Sequence, residues 1–219
     1  MKPLMLKLGP ELFDRLNHEQ HVGTQTPVIY GKGGLSPHRI DIIERELGFP
    51  LPADFRYLLE NIRDPGGTLF PWEEFTRQEY DRYIDGLFDG IAFDIECNNL
   101  WMKRWGKRPD TLEPAIAIAR KDFAAWPKLL PIYSHRYLAA EPALPDNPVF
   151  SIVQTDIVYY GANLANYLLN EFIERDWFSR VSYAEPRRIN IWSDFVEDDQ
   201  SQLAWPSGLA SEVKAPWSS

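Results

Sequence analysis

Within KLLPIYSHRYL, Tyr133, His135 and Tyr137 recur at every second position, the arrangement in this chain nearest to an acid–base group. In a strand over 129–138 that spacing puts the three side chains on one face, with Ile132, Arg136 and Leu138 on the other. An imidazole oriented by a carboxylate serves as a general base. Asp156, expected on the next hairpin strand, is the first candidate orienter, with Asp94 and Glu96 behind it. No nucleophile completes the set. Ser134 points to the opposite face, and Cys97 sits in an acidic stretch, the reverse of the electropositive surroundings a reactive thiolate needs. A lone histidine so placed is commonly a hydrogen-bonded structural residue.

Other chemistries are thinner still. Zinc takes three or four ligands from Cys, His, Asp or Glu. Asp94 and Glu96 are expected on one strand face, but His18 and His21 lie in weakly patterned N-terminal sequence, so no metal site is expected. A glycosidase pair cannot be chosen among so many carboxylates, because sequence spacing does not set the ~5–9 Å gap that reaction needs. GKGG at 31–34 lacks the Lys-Ser or Lys-Thr of a phosphate-binding loop and reads as a flexible joint; no cofactor is expected.

The elements that must position these residues begin at Ser36, a capping residue followed by Pro37. Ile40, Ile43 and Leu47 then share a helix face that Gly48 terminates. Phe55, Leu58, Leu59 and Ile62 predict a second amphipathic helix, ended by DPGG. Ile91, Phe93 and Ile95 alternate with Ala92, Asp94 and Glu96 as a half-buried strand would. A helix is expected over 111–125, capped by Asp110 and with Pro114 near its start. Strands follow over 129–138, 149–154 and 156–160, with short links that favour antiparallel neighbours. Gly161 opens a helix bearing Leu164, Leu168 and Phe172 on one face, and 187–196 forms a last strand or short helix. Residues 197–219 are polar, aperiodic and expected to be a loose tail.

Composition narrows the function classes. Hydrophobic residues at 44% and aromatics at 14% exclude a disordered chain. With 32 acidic against 23 basic residues, the net charge of −9 argues against nucleic-acid binding and favours a basic partner. The single cysteine rules out an internal disulfide and fits a reducing compartment, so a cytoplasmic location is expected, with no signal peptide and no membrane span. Between Trp72 and Glu96 eight acidic residues face two basic ones, a local net of −6. Such a run is either a solvated helix face or an acidic docking surface. Trp72, Trp101, Trp105, Trp126, Tyr133, Tyr137, Tyr159 and Tyr160 are more aromatics than a core requires, and Trp and Tyr dominate interface hot spots.

The opening ERELGFPLPADFRYLLENI with its following DPGG resembles the start of the SUKH superfamily, the immunity and cell-wall-assembly-regulator-like domains. FDIECNNLWMKRWGKRP, PKLLPIYSHRYL and NPVFSIVQTDIVYYGANLANYLLNEF are similar to the strand, hairpin and closing-helix order of bacterial members, so the resemblance covers about 36–173. It implies an α+β fold, a mixed or mainly antiparallel sheet flanked by helices, and no enzymatic activity. It also implies direct binding to a cognate toxin, such as a nuclease or deaminase, in the cytosol. The expected organisation is an N-terminal extension over 1–35, a SUKH-like domain over 36–196 and the tail. On this reading Glu73, Glu74, Glu79 and Asp81 supply charge, while Trp101, Trp105, Tyr133, His135 and Tyr137 line the contact surface. The rivals are a small-ligand protein or enzyme using His135, and a regulatory scaffold with no toxin partner.

Overall fold

Residues 7–19, 28–173 and 185–197 are described by the computed structural model. Among them the chain is an α+β fold of seven α-helices and two antiparallel sheets, one of two strands and one of four. The tail beyond Glu197 and His21 lie outside the described residues.

α1 (Pro10–Glu19) buries Leu12, Phe13 and Leu16. Its Asn17 clamps β1 (Ile29–Tyr30), donating to the Tyr30 carbonyl and accepting from the Tyr30 N–H, both at 2.9 Å. The described part of 1–35 therefore shares one core with the helices that follow. Ser36 caps α2 (Pro37–Leu47), its hydroxyl accepting from the Arg39 N–H at 3.2 Å, and Gly48 ends the helix at φ 81°. α3 (Ala53–Glu60) buries Phe55, Leu58 and Leu59 but stops short of Ile62. That residue instead enters β2 (Ile62–Arg63), opposite Tyr30. The glycines at 31–34 are not a flexible joint. Gly31 N–H donates to Asn61 O at 2.6 Å, Leu35 N–H to Leu59 O at 2.8 Å, and Gly34 lies directly against the end of α3.

The largest departure from expectation is α4 (Arg77–Cys97), which runs through the segment expected as a strand. Thr76 caps it by accepting from the Glu79 N–H at 3.2 Å. Ile91 and Ile95 are four residues apart, so a helix buries both beside Leu87 and Phe88 and leaves Phe93 in solvent. Three apolar residues at alternate positions fit a strand and two helical turns equally; the longer 3.6-residue pattern decides. After a 3-10 turn at Lys103–Trp105, α5 (Leu112–Phe123) follows Thr111 at the cap position, so Asp110 is not its cap, and Pro114 falls in the first turn.

β3 (Leu129–Tyr133), β4 (Arg136–Ala139), β5 (Val149–Val153) and β6 (Asp156–Gly161) form an antiparallel meander in chain order. Gly161 ends β6 rather than opening a helix; α6 (Leu164–Phe172) begins after Asn163, whose side chain accepts from the Asn166 N–H at 2.9 Å. The 187–196 segment resolves as the short helix α7 (Trp192–Val196). Strand alternation then divides the core. Leu130, Ile132, Leu138 and Val149 join α1, α2, α3 and α6 on one side of the sheet. Leu129, Tyr137, Phe150, Ile152 and Ile157 join α4, α5 and α7 on the other. The sheet is thus the middle of three layers, an arrangement that covers both of its apolar faces. Among the described residues no helix is long and apolar enough to cross a membrane.

Candidate functional site

Tyr133, His135 and Tyr137 do not share a face. β3 ends at Tyr133, Ser134 reverses the chain at φ 50°, and β4 begins at Arg136, so His135 sits in a hairpin turn. A register shift between Pro131 and Tyr133 turns Tyr133 toward Phe172, with ring centroids 6.0 Å apart, in the core beneath α6. Tyr137 faces the opposite layer. Burial, with Tyr83 nearby, pushes its phenol up to about 12.

His135 and Tyr137 do share one feature, an open groove of about 490 Å³ between α4 and the tips of the two hairpins. Arg82, Tyr83 and Leu87 form its helical wall, Ile152 and Val153 its strand wall. The His135 ring bonds to Ser134 Oγ at 3.0 Å, and no carboxylate among the described residues orients it. Asp94, one of the candidate orienters, is committed elsewhere. Its Oδ2 accepts from Thr155 N–H at 2.9 Å and Thr155 Oγ1 at 2.5 Å, and its Oδ1 from Asn98 Nδ2 at 2.6 Å. This buried carboxylate pins the end of α4 to the β5–β6 turn. Glu96, two residues on, is exposed on the other side of the helix, and Asp156 is exposed at the start of β6. The acid–base set is therefore not assembled, and among the described residues no group of three His, Cys, Asp or Glu is placed to hold a metal.

Burial, with Arg136 beside it, draws the His135 imidazole below the ordinary histidine range. The unfolded chain then takes up this proton at a higher pH than the folded chain does. Stability from this group therefore rises with pH across the interval just below about 6.5 and is flat above it. His135→Gln is expected to flatten that slope while changing stability at neutral pH by less than about 0.5 kcal/mol. Urea unfolding at several pH values checks both; an unchanged slope removes His135 as its source.

Trp101 and Trp105 are each 7% exposed and do not line a surface. Their rings meet edge to face at 5.0 Å. Trp101 Nε1–H donates to Gly106 O at 2.8 Å and Trp105 Nε1–H to Asp122 Oδ2 at 2.9 Å. A neutral ring with one N–H donor is well placed in a core once that donor is met, which is why these tryptophans close the second core rather than anchor a partner.

The acidic run is largely compensated from within. Asp81 pairs with Arg77 at 2.7 Å, Glu79 with Arg82, and Arg120 reaches across from α5 to Asp85 at 2.9 Å and Asp89 at 3.8 Å. Arg77 also donates to the carbonyls of Glu46 and Leu47 at the end of α2. Four of the eight carboxylates are thus spent on neighbouring arginines and a fifth, Asp94, on Thr155 and Asn98. Glu73 and Glu74 are not: both are exposed and have no ion pair among the described residues. They stand at the mouth of a cleft of about 340 Å³ that sequence reasoning missed. Leu35, Leu59, Ile62, Leu69, Phe70 and Trp72 form its apolar lining, beside Asp64 of the DPGG loop. The loop is closed by Asp64 Oδ2 accepting from the Leu69 N–H at 2.5 Å. The DPGG turn was the visible signal; that it faces the PWEE segment was not.

No family model, curated protein or solved structure matches this chain.

Proposed function

We propose that this chain is a non-catalytic protein-binding domain that neutralises a cognate basic toxin, a nuclease or deaminase, in the cytoplasm by covering its surface. One observation carries the reading: Glu73 and Glu74, without an ion pair among the described residues, edge an apolar cleft. An apolar recess with an anionic rim accepts the stem and the head of a lysine or arginine side chain together. The net charge of −9 adds long-range attraction for a basic partner. The resemblance of 36–173 to SUKH domains supplies the toxin class. The binding edge moves accordingly from the tryptophans to the cleft, and Glu79 and Asp81, already paired, contribute background field rather than contacts.

The test is capture of the tagged chain's partner at low and at high salt, followed by reconstitution with the purified toxin. A basic toxin held stoichiometrically, and inactive while held, supports the reading. Reversing both charges in Glu73→Lys with Glu74→Lys is expected to slow association at low salt by about tenfold and to flatten its salt dependence. Unchanged association rates would take the cleft out of the account. A small ligand in the α4 groove is the second reading, favoured by the convergence of Arg82, Tyr83, His135 and Tyr137 there. It predicts a chain that captures no toxin and whose ligand affinity depends on His135.

A further inference from the structure

Two glycines, Gly86 and Gly90, stand in the interior of α4, where alanine would give a more stable helix. Packing accounts for only one of them. A Cβ at Gly90 would lie 2.9 Å from Gln154 Cα, so that glycine lets the β5–β6 turn close against the helix. At Gly86 nothing stands within 4 Å of an added Cβ, and no neighbour requires the missing side chain. What its absence creates is room: Gly86 lines the open groove of about 490 Å³ between α4 and the hairpin tips.

The same groove holds a polar group that the fold does not use. Tyr80, a buried tyrosine nearby in the second half of the core, donates its hydroxyl to Leu129 O at 3.0 Å, the usual arrangement for a phenol out of solvent. Tyr137 is only 5% exposed, yet its hydroxyl makes no hydrogen bond among the described residues and is not sealed in the core: it opens to the groove. Two further groups converge there. His135 Nδ1 is bonded to Ser134 Oγ, which leaves Nε2, and the Gln154 amide has no partner among the described residues. Burial holds the Tyr137 phenol protonated and the His135 imidazole neutral near pH 7, so phenol, imidazole and amide each donate and accept. The lining has no carboxylate, and its guanidinium, that of Arg82, is already bonded twice by Glu79. A charged ligand would find no free counter-charge.

We propose that the α4 groove binds a neutral saccharide, whose hydroxyls meet Tyr137 Oη, His135 Nε2 and the Gln154 amide while its C–H face lies on Leu87 and Ile152 over the space left at Gly86. A sugar hydroxyl both donates and accepts, as each of these three groups does. The apolar wall suits the C–H side of the ring, and the volume falls within the range of about 300–1,000 Å³ common to small-molecule sites. The proposal rests on the reading of this groove as a ligand site and not on the toxin reading, since groove and acidic cleft share no lining residue.

Nuclear magnetic resonance titration of the full chain with a panel of neutral mono- and disaccharides, and with inorganic phosphate, acetate and lysine as charged probes, tests it. The expected result is a saccharide that saturably shifts the amide signals of Gly86, His135 and Gln154 together. Gly86→Phe, which fills the open space, should abolish those shifts, and Tyr137→Phe should weaken affinity by about tenfold through loss of one hydrogen bond. Both variants should unfold close to the parent's urea midpoint, because neither position has a protein contact to lose there. Saccharide binding that both variants leave intact would place the sugar elsewhere and overturn the proposal. A charged probe shifting these signals in place of the saccharides would overturn the ligand class while keeping the groove as a site, and a groove that takes no probe would overturn both. Glu73→Lys with Glu74→Lys should leave the saccharide titration unchanged, so either result is read apart from the toxin experiment.

Discussion

Asp122→Leu is expected to lower the folding stability of this protein by about 3 kcal/mol, and its Tm by on the order of 10 °C. Asp122 is a single carboxylate with three donors from two places in the chain. Its Oδ2 accepts from Trp105 Nε1 at 2.9 Å and Trp126 Nε1 at 2.8 Å, and its Oδ1 from Arg104 at 2.7 Å. Leucine would leave two indole N–H groups in the second core with no acceptor, at about 1–3 kcal/mol each, and would also release the arginine. Asp122→Asn keeps an acceptor and should cost about a third as much. Urea unfolding followed by tryptophan fluorescence measures both. A leucine variant within about 1 kcal/mol of the parent would show that solvent reaches the indoles and that the carboxylate is dispensable.

Gly34→Ala should be at least as damaging, about 3 kcal/mol or more. A Cβ there would lie 2.2 Å from Leu59 O, 2.5 Å from Glu60 C and 2.7 Å from Asn61 N. Those are backbone atoms at the end of α3 and cannot rotate away, so relief requires parting α3 from the strand pair β1–β2. Gly86 is the matching control. It lies within α4, nothing stands within 4 Å of the place an added methyl group would take, and alanine there should stabilise by about 0.5–1 kcal/mol through helix propensity. If both variants unfold at the same urea concentration as the parent, the close crossing at Gly34 is not a constraint on the fold.

These two residues mark where sequence reading works and where it stops. Local devices were legible: Ser36 before Pro37, Gly48 after the helix, and the apolar spacing of Ile40, Ile43 and Leu47 all lie within a few residues of the structure they dictate. The short turn that makes the strands over 149–154 and 156–160 antiparallel neighbours was equally local. Gly34 reads as freedom until α3 is set against it, and the reason for a glycine there is 25 residues away at Leu59. The same holds for charge. Asp85 and Asp89 look available until Arg120 closes on them from another helix, so the run of eight carboxylates overstated the free acidic surface. YSHRY failed for a different reason: Ser134 adopts a left-handed turn without the Gly, Asn or Asp that usually announces one, and a hairpin passed for a single strand. Trp101 and Trp105 were assigned to a surface by type, whereas the acceptors that bury them, Gly106 O and Asp122, are visible only in three dimensions.

The division of the core by the sheet also sets an order of events during synthesis. Every described buried residue of the core beneath α1, α2, α3 and α6 lies at or before Ile173, but the opposite core takes Ile189, Ile191, Trp192 and Phe195 from the far end of the described chain. At ribosomal speeds of about 5–20 residues per second, the stretch between these points takes roughly one to five seconds to make. For that time the nascent sheet has one face sealed and Trp126, whose ring later meets Trp192 at 5.0 Å, without its cover. A chaperone that recognises aromatic-rich surface would have its opportunity then, and α7 is the latch that ends it.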